Sequence, residues 1–179
     1  MIHNIFNLLY NTPVHMIFLY IFICVLLWTT LSFLIKNKKI WKTINLVLGA
    51  LYLISVLYIT IFSRTTSYRE VSWTPFHSLY LATEYPDIYN EIAMNVILFT
   101  PLGLVFPYII DRTSGVSVLL SVVICCAISV IIELCQFVFM LGRCELDDVI
   151  ANTLGAFLGC VSCIISGAIE KFQKQRKIK

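Results

Sequence analysis

The sequence predicts an all-α fold, a polytopic membrane bundle of about five transmembrane helices with its N-terminus outside and its C-terminus in the cytoplasm. Three observations predict it. The chain has 179 residues, of which 59% are hydrophobic and only 13% charged, and its mean hydropathy is +0.88. A soluble domain of that size has too few charges to cover so much apolar surface. The apolar residues gather into runs of the length needed to cross the hydrocarbon core, about 20 residues per helix. Basic residues collect in alternate connections, as the positive-inside rule requires.

The first span is expected over residues 14–35. It lacks a Lys/Arg-rich start and a small-x-small cleavage site, so it reads as a retained helix rather than a signal peptide. A basic loop with Lys36, Lys38, Lys39 and Lys42 follows, then a second span over 43–62. Residues 63–90 form a connection too long for a plain turn, a length that usually carries function or structure of its own. Trp73, Phe76, Tyr80, Tyr85 and Tyr89 suit it to the membrane–water interface, and residues 72–76 are expected to form a short interfacial element. The third, fourth and fifth spans fall over 91–110, 116–140 and 147–168. Arg112 lies between the third and fourth. The tail carries Lys171, Lys174, Arg176, Lys177 and Lys179. Ten of the thirteen basic residues therefore lie on one side, against Arg64, Arg69 and Arg143 on the other. Three units follow: an N-terminal helix with its basic loop (1–41), a membrane domain (42–168) and a basic cytoplasmic tail (169–179).

Some functions are excluded at this point. No basic stripe lies on a soluble domain, which argues against nucleic acid as a partner. The seven cysteines mostly fall inside apolar runs, with Cys144 alone in a predicted loop. Their number is odd and they show no metal-type CxxC pair, since the one such spacing, Cys160 to Cys163, lies inside an apolar run, so they read as small packing residues rather than metal ligands. His3, His15 and His77 are scattered. No metal or cofactor is expected.

Polar residues inside the spans carry the functional signal. The third span opens with Glu91 and Asn95 on one helical face. Pro101 then removes a backbone donor opposite the Ile97 carbonyl and predicts a kink. In the fourth span Glu133 and Gln136 share a face, with Ser129 one turn from Glu133. Glu133 lies seven residues from Met140, roughly 10 Å at 1.5 Å per residue. A charged side chain at a helix centre costs roughly 2.5–3.5 kcal/mol on insertion scales and commonly marks function. At that depth Glu133 needs either a cationic partner or a proton. The fifth span begins with Arg143, Asp147, Asp148 and Asn152. Its spacing predicts an Arg143–Asp147 ion pair and stacks Asp148 over Asn152, and both aspartates suit a helix N-terminus. Ala151, Gly155 and Gly159 form a small-residue stripe for close helix packing. Alternating topology brings Arg64, Glu91, Asn95, Glu133, Gln136, Arg143, Asp147, Asp148 and Asn152 to the outer side.

These residues also carry a resemblance. Phe62-Ser63-Arg64, Trp73-Thr74-Pro75-Phe76, Asn95-Val-Ile-Leu-Phe99-Thr-Pro101-Leu-Gly103, Ile132-Glu133-Leu-Cys-Gln136, Arg143 and Asp147-Asp148-Val-Ile-Ala-Asn152-Thr-Leu-Gly155-Ala-Phe-Leu-Gly159 occur in the order and spacing of the VanZ-like family. The similarity covers roughly residues 45 to 165. The chain departs from the family's Asn-Leu-x-Pro-Phe element, which here lacks its asparagine. The resemblance implies a protein of the bacterial cell membrane and envelope, connected with low-level teicoplanin resistance.

Three function classes fit these residues. In the first, a binding protein holds a membrane lipid headgroup, a lipid-linked wall precursor or a glycopeptide in a polar outer-leaflet pocket. Arg64 and Arg143 engage phosphate or carboxylate, with Asn95, Gln136, Asp147 and Asn152 as further ligand-binding residues. In the second, an intramembrane enzyme uses Glu133 as general acid or base on a lipid-linked wall component, with Asp148, or alternatively Asp147, as its second carboxylate or as an oxygen ligand to a divalent cation. The third is a transporter or channel subunit, though no inverted repeat is found.

Overall fold

The computed structural model describes residues 14–35, 37–64, 67–110 and 115–178. His3, and Lys36, Arg112 and Lys179 of the orientation argument, lie outside them. Five helices are long and apolar enough to cross a membrane, as the hydropathy predicts. They are α1 (Val14–Leu34), α2 (Lys38–Leu57), α4 (Asp87–Ile110), α5 (Gly115–Val138) and α6 (Leu146–Ile178). The connection between α2 and α4 holds a strand β1 (Tyr68–Ser72) and a five-residue helix α3 (His77–Leu81).

Local chemistry sets several boundaries. Asn37 caps α2, its side-chain oxygen accepting from the amides of Lys39 and Ile40. This satisfies two of the four donors that every helix start leaves open. At its far end α2 widens into a π-helical turn, Tyr58–Phe62, where the Ser63 amide donates to the Tyr58 carbonyl at 2.9 Å. Such turns free backbone groups for outside partners: the Thr60 carbonyl accepts from Gln136 Nε2 at 3.1 Å. α4 starts one turn before the predicted position. It runs through Pro101 and Pro107 as one element. The Tyr52 hydroxyl donates to the Leu98 carbonyl at 3.0 Å, next along the chain from the carbonyl that Pro101 deprives of its donor. α6 continues without interruption into the basic tail, where lysines and arginines complement the negative end of the helix dipole.

The all-α reading missed one feature. β1 pairs in parallel with β2 (Leu141–Glu145), in the register Tyr68↔Leu141 to Ser72↔Glu145. Parallel pairing requires a long crossover, and here that crossover contains α3, α4 and α5. α4 leaves and α5 returns, so both strands lie at one end of the bundle. The strands are five residues each, and their periodicity is too short to stand out beside long apolar helices. Residues 139–145, read as helix end and loop, turn at Met140 (φ 56°) and Gly142 (φ 122°).

α4 is the most buried span, and it packs most intimately on α6. The predicted small-residue stripe makes this contact. A Cβ on Gly155 would overlap the Val96 carbonyl, and one on Gly159 the Thr100 carbonyl. Gly103 reciprocates from α4, since a Cβ there would overlap the backbone of Ala156. Ile17, Ile21 and Val25 of α1 close one side of this pair with Ala93, Val96 and Ile97. Val56, Phe99, Leu102, Cys125, Ile132 and Ala156 fill the other side. At the end away from the sheet, Trp41 packs between Trp28, tilted at 48°, and Tyr108, edge-on at 80°. The Tyr108 hydroxyl lies 3.1 Å from Ser166 Oγ. Buried Asn45 donates to the Trp41 carbonyl and accepts from the Trp28 indole.

Candidate functional site

The end of the bundle that carries the sheet holds an open polar cavity of about 300 Å³. Its walls are Arg64, Tyr68, Glu91, Met94, Asn95, Arg143, Glu145 and Asp148. These come from the end of α2, both strands and the first turns of α4 and α6. Residues up to 84 positions apart thus meet because β1 and β2 are zipped together over the ends of the helices.

Four predicted site residues, Arg64, Asn95, Arg143 and Asp148, line this cavity. The Asn95 amide donates to Asp148 Oδ1 at 2.6 Å and ties α4 to α6. Arg64 reaches the Leu141 carbonyl of β2 at 3.3 Å. The predicted Arg143–Asp147 pair does not form. Arg143 lies on a strand, not on the first turn of α6, so the helical i,i+4 spacing does not apply. Its guanidinium instead pairs with Glu145 at 3.0 Å and with Glu91 at 3.7 Å. Burial works against the Arg143 charge, but the carboxylates of Glu145 and Glu91 outweigh it and raise its pKa.

The other predicted residues lie outside the cavity lining. Asp147 holds α3. Its Oδ1 accepts from the Phe76 amide at 2.6 Å and its Oδ2 from the Ser78 amide at 2.7 Å. The expected interfacial element is thus a turn, with Phe76 in the left-handed region, moored to the start of α6. Trp73 and Phe76 remain exposed. Asp148 and Asn152 share a face of α6 but find separate partners: Asn152 donates to Ser129 Oγ of α5 at 2.8 Å. Gln136 is buried and binds the π-turn. The Gln136 Oε1 and Asn152 Oδ1 atoms are buried without a partner among the described residues.

Glu133 is 4% exposed, and its Oε2 accepts from the Glu145 amide at 3.0 Å. It lines a second, smaller cavity of about 80 Å³ with Trp73, Val130, Leu134, Leu146 and Val149. Glu145 borders both cavities. Cys144, the one cysteine expected in a loop, is a buried strand residue. Burial raises its thiol pKa, and the Glu133 carboxylate adds to this. Among the described residues no group of three His, Cys, Asp or Glu side chains is arranged to hold a metal ion.

Sequence reasoning missed Tyr68, Met94 and Glu145. Glu145 contacts more of the site than any predicted residue: Arg143, Ser78 Oγ at 3.4 Å, and Glu133 through its own amide. The alternation Arg143-x-Glu145 was the available signal. A period of two sends both side chains to one face of a strand, whereas helical spacing separates them.

Comparison with known proteins agrees with this architecture. The family model described as VanZ/LLP1 matches residues 49–167, which run from α2 to α6 and contain every residue of the polar cavity. A similar curated protein, Protein VanZ of Enterococcus faecium, is 29% identical over 145 residues, covering 76% of this chain and 82% of its own length. No solved structure matches the chain. Five membrane-spanning helices and a family match over the whole cavity-bearing region lead to one assignment: the chain is a multi-pass membrane protein belonging to the VanZ/LLP1 family.

Proposed function

We propose that this protein resides in the bacterial cell membrane, binds a polar ligand in its sheet-end cavity at the outer leaflet, and thereby contributes to low-level teicoplanin resistance. The ligand is a lipid headgroup, a lipid-linked wall precursor or the glycopeptide itself. One observation carries the reading: two arginines and an amide meet around a cavity of about 300 Å³ at one end of a membrane bundle. Guanidinium forks recognise phosphate and carboxylate oxygens bidentately. Membership of the VanZ/LLP1 family supports the connection with resistance. The excess of basic residues at the opposite end supports an outward-facing cavity.

The alternative, an intramembrane enzyme with Glu133 as acid or base, has less support. Glu133 borders the small cavity rather than the polar one, and its carboxylate receives the Glu145 amide, a contact that fastens the strand to α5.

Minimum inhibitory concentrations of teicoplanin and vancomycin in a sensitive host test the proposal, with membrane levels checked by blot. The wild type is expected to raise the teicoplanin value. Arg64→Ala and Arg143→Ala should abolish the rise, and Glu133→Gln should largely keep it. Unchanged susceptibility with the well-expressed wild type defeats the resistance role. Loss with well-inserted Glu133→Gln and retention with both arginine variants would favour the enzyme.

A further inference from the structure

The charges around the polar cavity are not all matched. Arg143 is satisfied by Glu145 and Glu91. Arg64 donates to the neutral Leu141 carbonyl and makes no ion pair among the described residues. Asp148 accepts the Asn95 amide and makes no ion pair among the described residues either. The cavity therefore presents one cation, just beyond the π-turn that ends α2, and one half-buried carboxylate, from the start of α6, which face each other without forming an ion pair. Arg64 and Arg143 attract the Asp148 carboxylate across the cavity, but neither is in contact with it. A carboxylate partly removed from water with no cation in contact is unfavourable, and an incoming cation relieves it. A purely anionic ligand would satisfy Arg64 but meet repulsion from Asp148 and Glu91. A purely cationic one would leave Arg64 unused. Only a ligand with both charges matches the whole lining.

We propose that the cavity takes a zwitterionic ligand, with its phosphate or carboxylate on Arg64 and its ammonium on Asp148, beside the Asn95 amide. This rests on the reading above that the cavity binds a ligand, and it narrows that ligand to one chemical class. A phospholipid headgroup bearing a primary amine and a soluble zwitterion share this chemistry.

The test uses the full-length protein purified in detergent and titrated calorimetrically with three probes. The first is dihexanoyl-phosphatidylethanolamine. The second is its N-acetylated form, which keeps the phosphate but loses the ammonium. The third is glycerophosphoethanolamine, the headgroup without chains. A charge-assisted hydrogen bond is worth about 1.5–3 kcal/mol, so the amine-bearing lipid should bind about tenfold or more tightly than its acetylated form. Asp148→Asn should collapse that preference to about twofold or less, while Arg64→Ala should weaken both lipids. If glycerophosphoethanolamine binds as well as the lipid, the ligand is a soluble zwitterion. If only the chain-bearing form binds, it is a lipid. Equal binding of the two lipids by the wild type refutes the zwitterion and leaves a polar-ligand pocket standing. No binding of any probe overturns both. The wild-type comparison decides the matter even if a variant fails to fold.

Discussion

Gly155→Ala adds one methyl group at the closest approach of α4 and α6, and its effect follows from the geometry. The new Cβ would fall well inside contact distance of the Val96 carbonyl oxygen, and also against Val96 C and Cα. These are backbone atoms in the most buried helix, so no side chain can rotate away. The two helices must separate. Overpacking of a close-packed core costs typically 1–3 kcal/mol, and a rigid backbone obstacle puts this site at the upper end. Gly167 is the internal control on the same helix: a Cβ there meets nothing within 4 Å. Gly167→Ala should be neutral or stabilising, because alanine has higher helix propensity by up to about 1 kcal/mol. Gly49→Ala should fall between, since its Cβ meets side-chain atoms rather than backbone, the nearest being Val105 Cγ2 at 3.1 Å. Thermal unfolding in detergent, followed by tryptophan fluorescence, checks this order. Separation of α4 from α6 also breaks the Asn95–Asp148 bond, so Gly155→Ala should lose ligand binding before it loses fold. If Gly155→Ala proves as stable as Gly167→Ala, the packing argument is wrong.

Two further outcomes follow from the site. Asp147→Ala removes the acceptor of the Phe76 and Ser78 amides, worth about 1–3 kcal/mol of local stability, so hydrogen exchange over residues 73–81 should accelerate while the spans stay protected. Single cysteines placed at Arg64 and Arg143 in a cysteine-free background should react with an impermeant maleimide added outside intact cells, while cysteines at Lys38 and Lys174 react only after permeabilisation; the reverse pattern would turn the cavity towards the cytoplasm.

Much of the site was legible in the sequence, for different reasons at different positions. Arg64, Asn95, Arg143 and Asp148 stood out because lipid penalises polar side chains within or beside spans, and that penalty depends only on residue type and depth. Their partners were not legible. Arg143 was matched with Asp147 on the assumption that a helix begins before Arg143, but strand geometry turns it to Glu91 and Glu145. Asp147 reads equally well as a helix-start residue or as an anchor for a distant turn. Only the position of α3 decides between these roles.

The sequence by itself determined that lipid is the solvent, that five helices cross it, and that the stripe of Ala151, Gly155 and Gly159 faces a neighbour. These follow from composition and period, which are local properties of a chain in a bilayer. The tertiary structure decided that β1 and β2 pair in parallel across α3, α4 and α5, and that Glu145 stands between two cavities with Glu133 behind it. Pairing of two short polar strands depends on where the helix ends are held in space, and no local pattern in either strand encodes that distance.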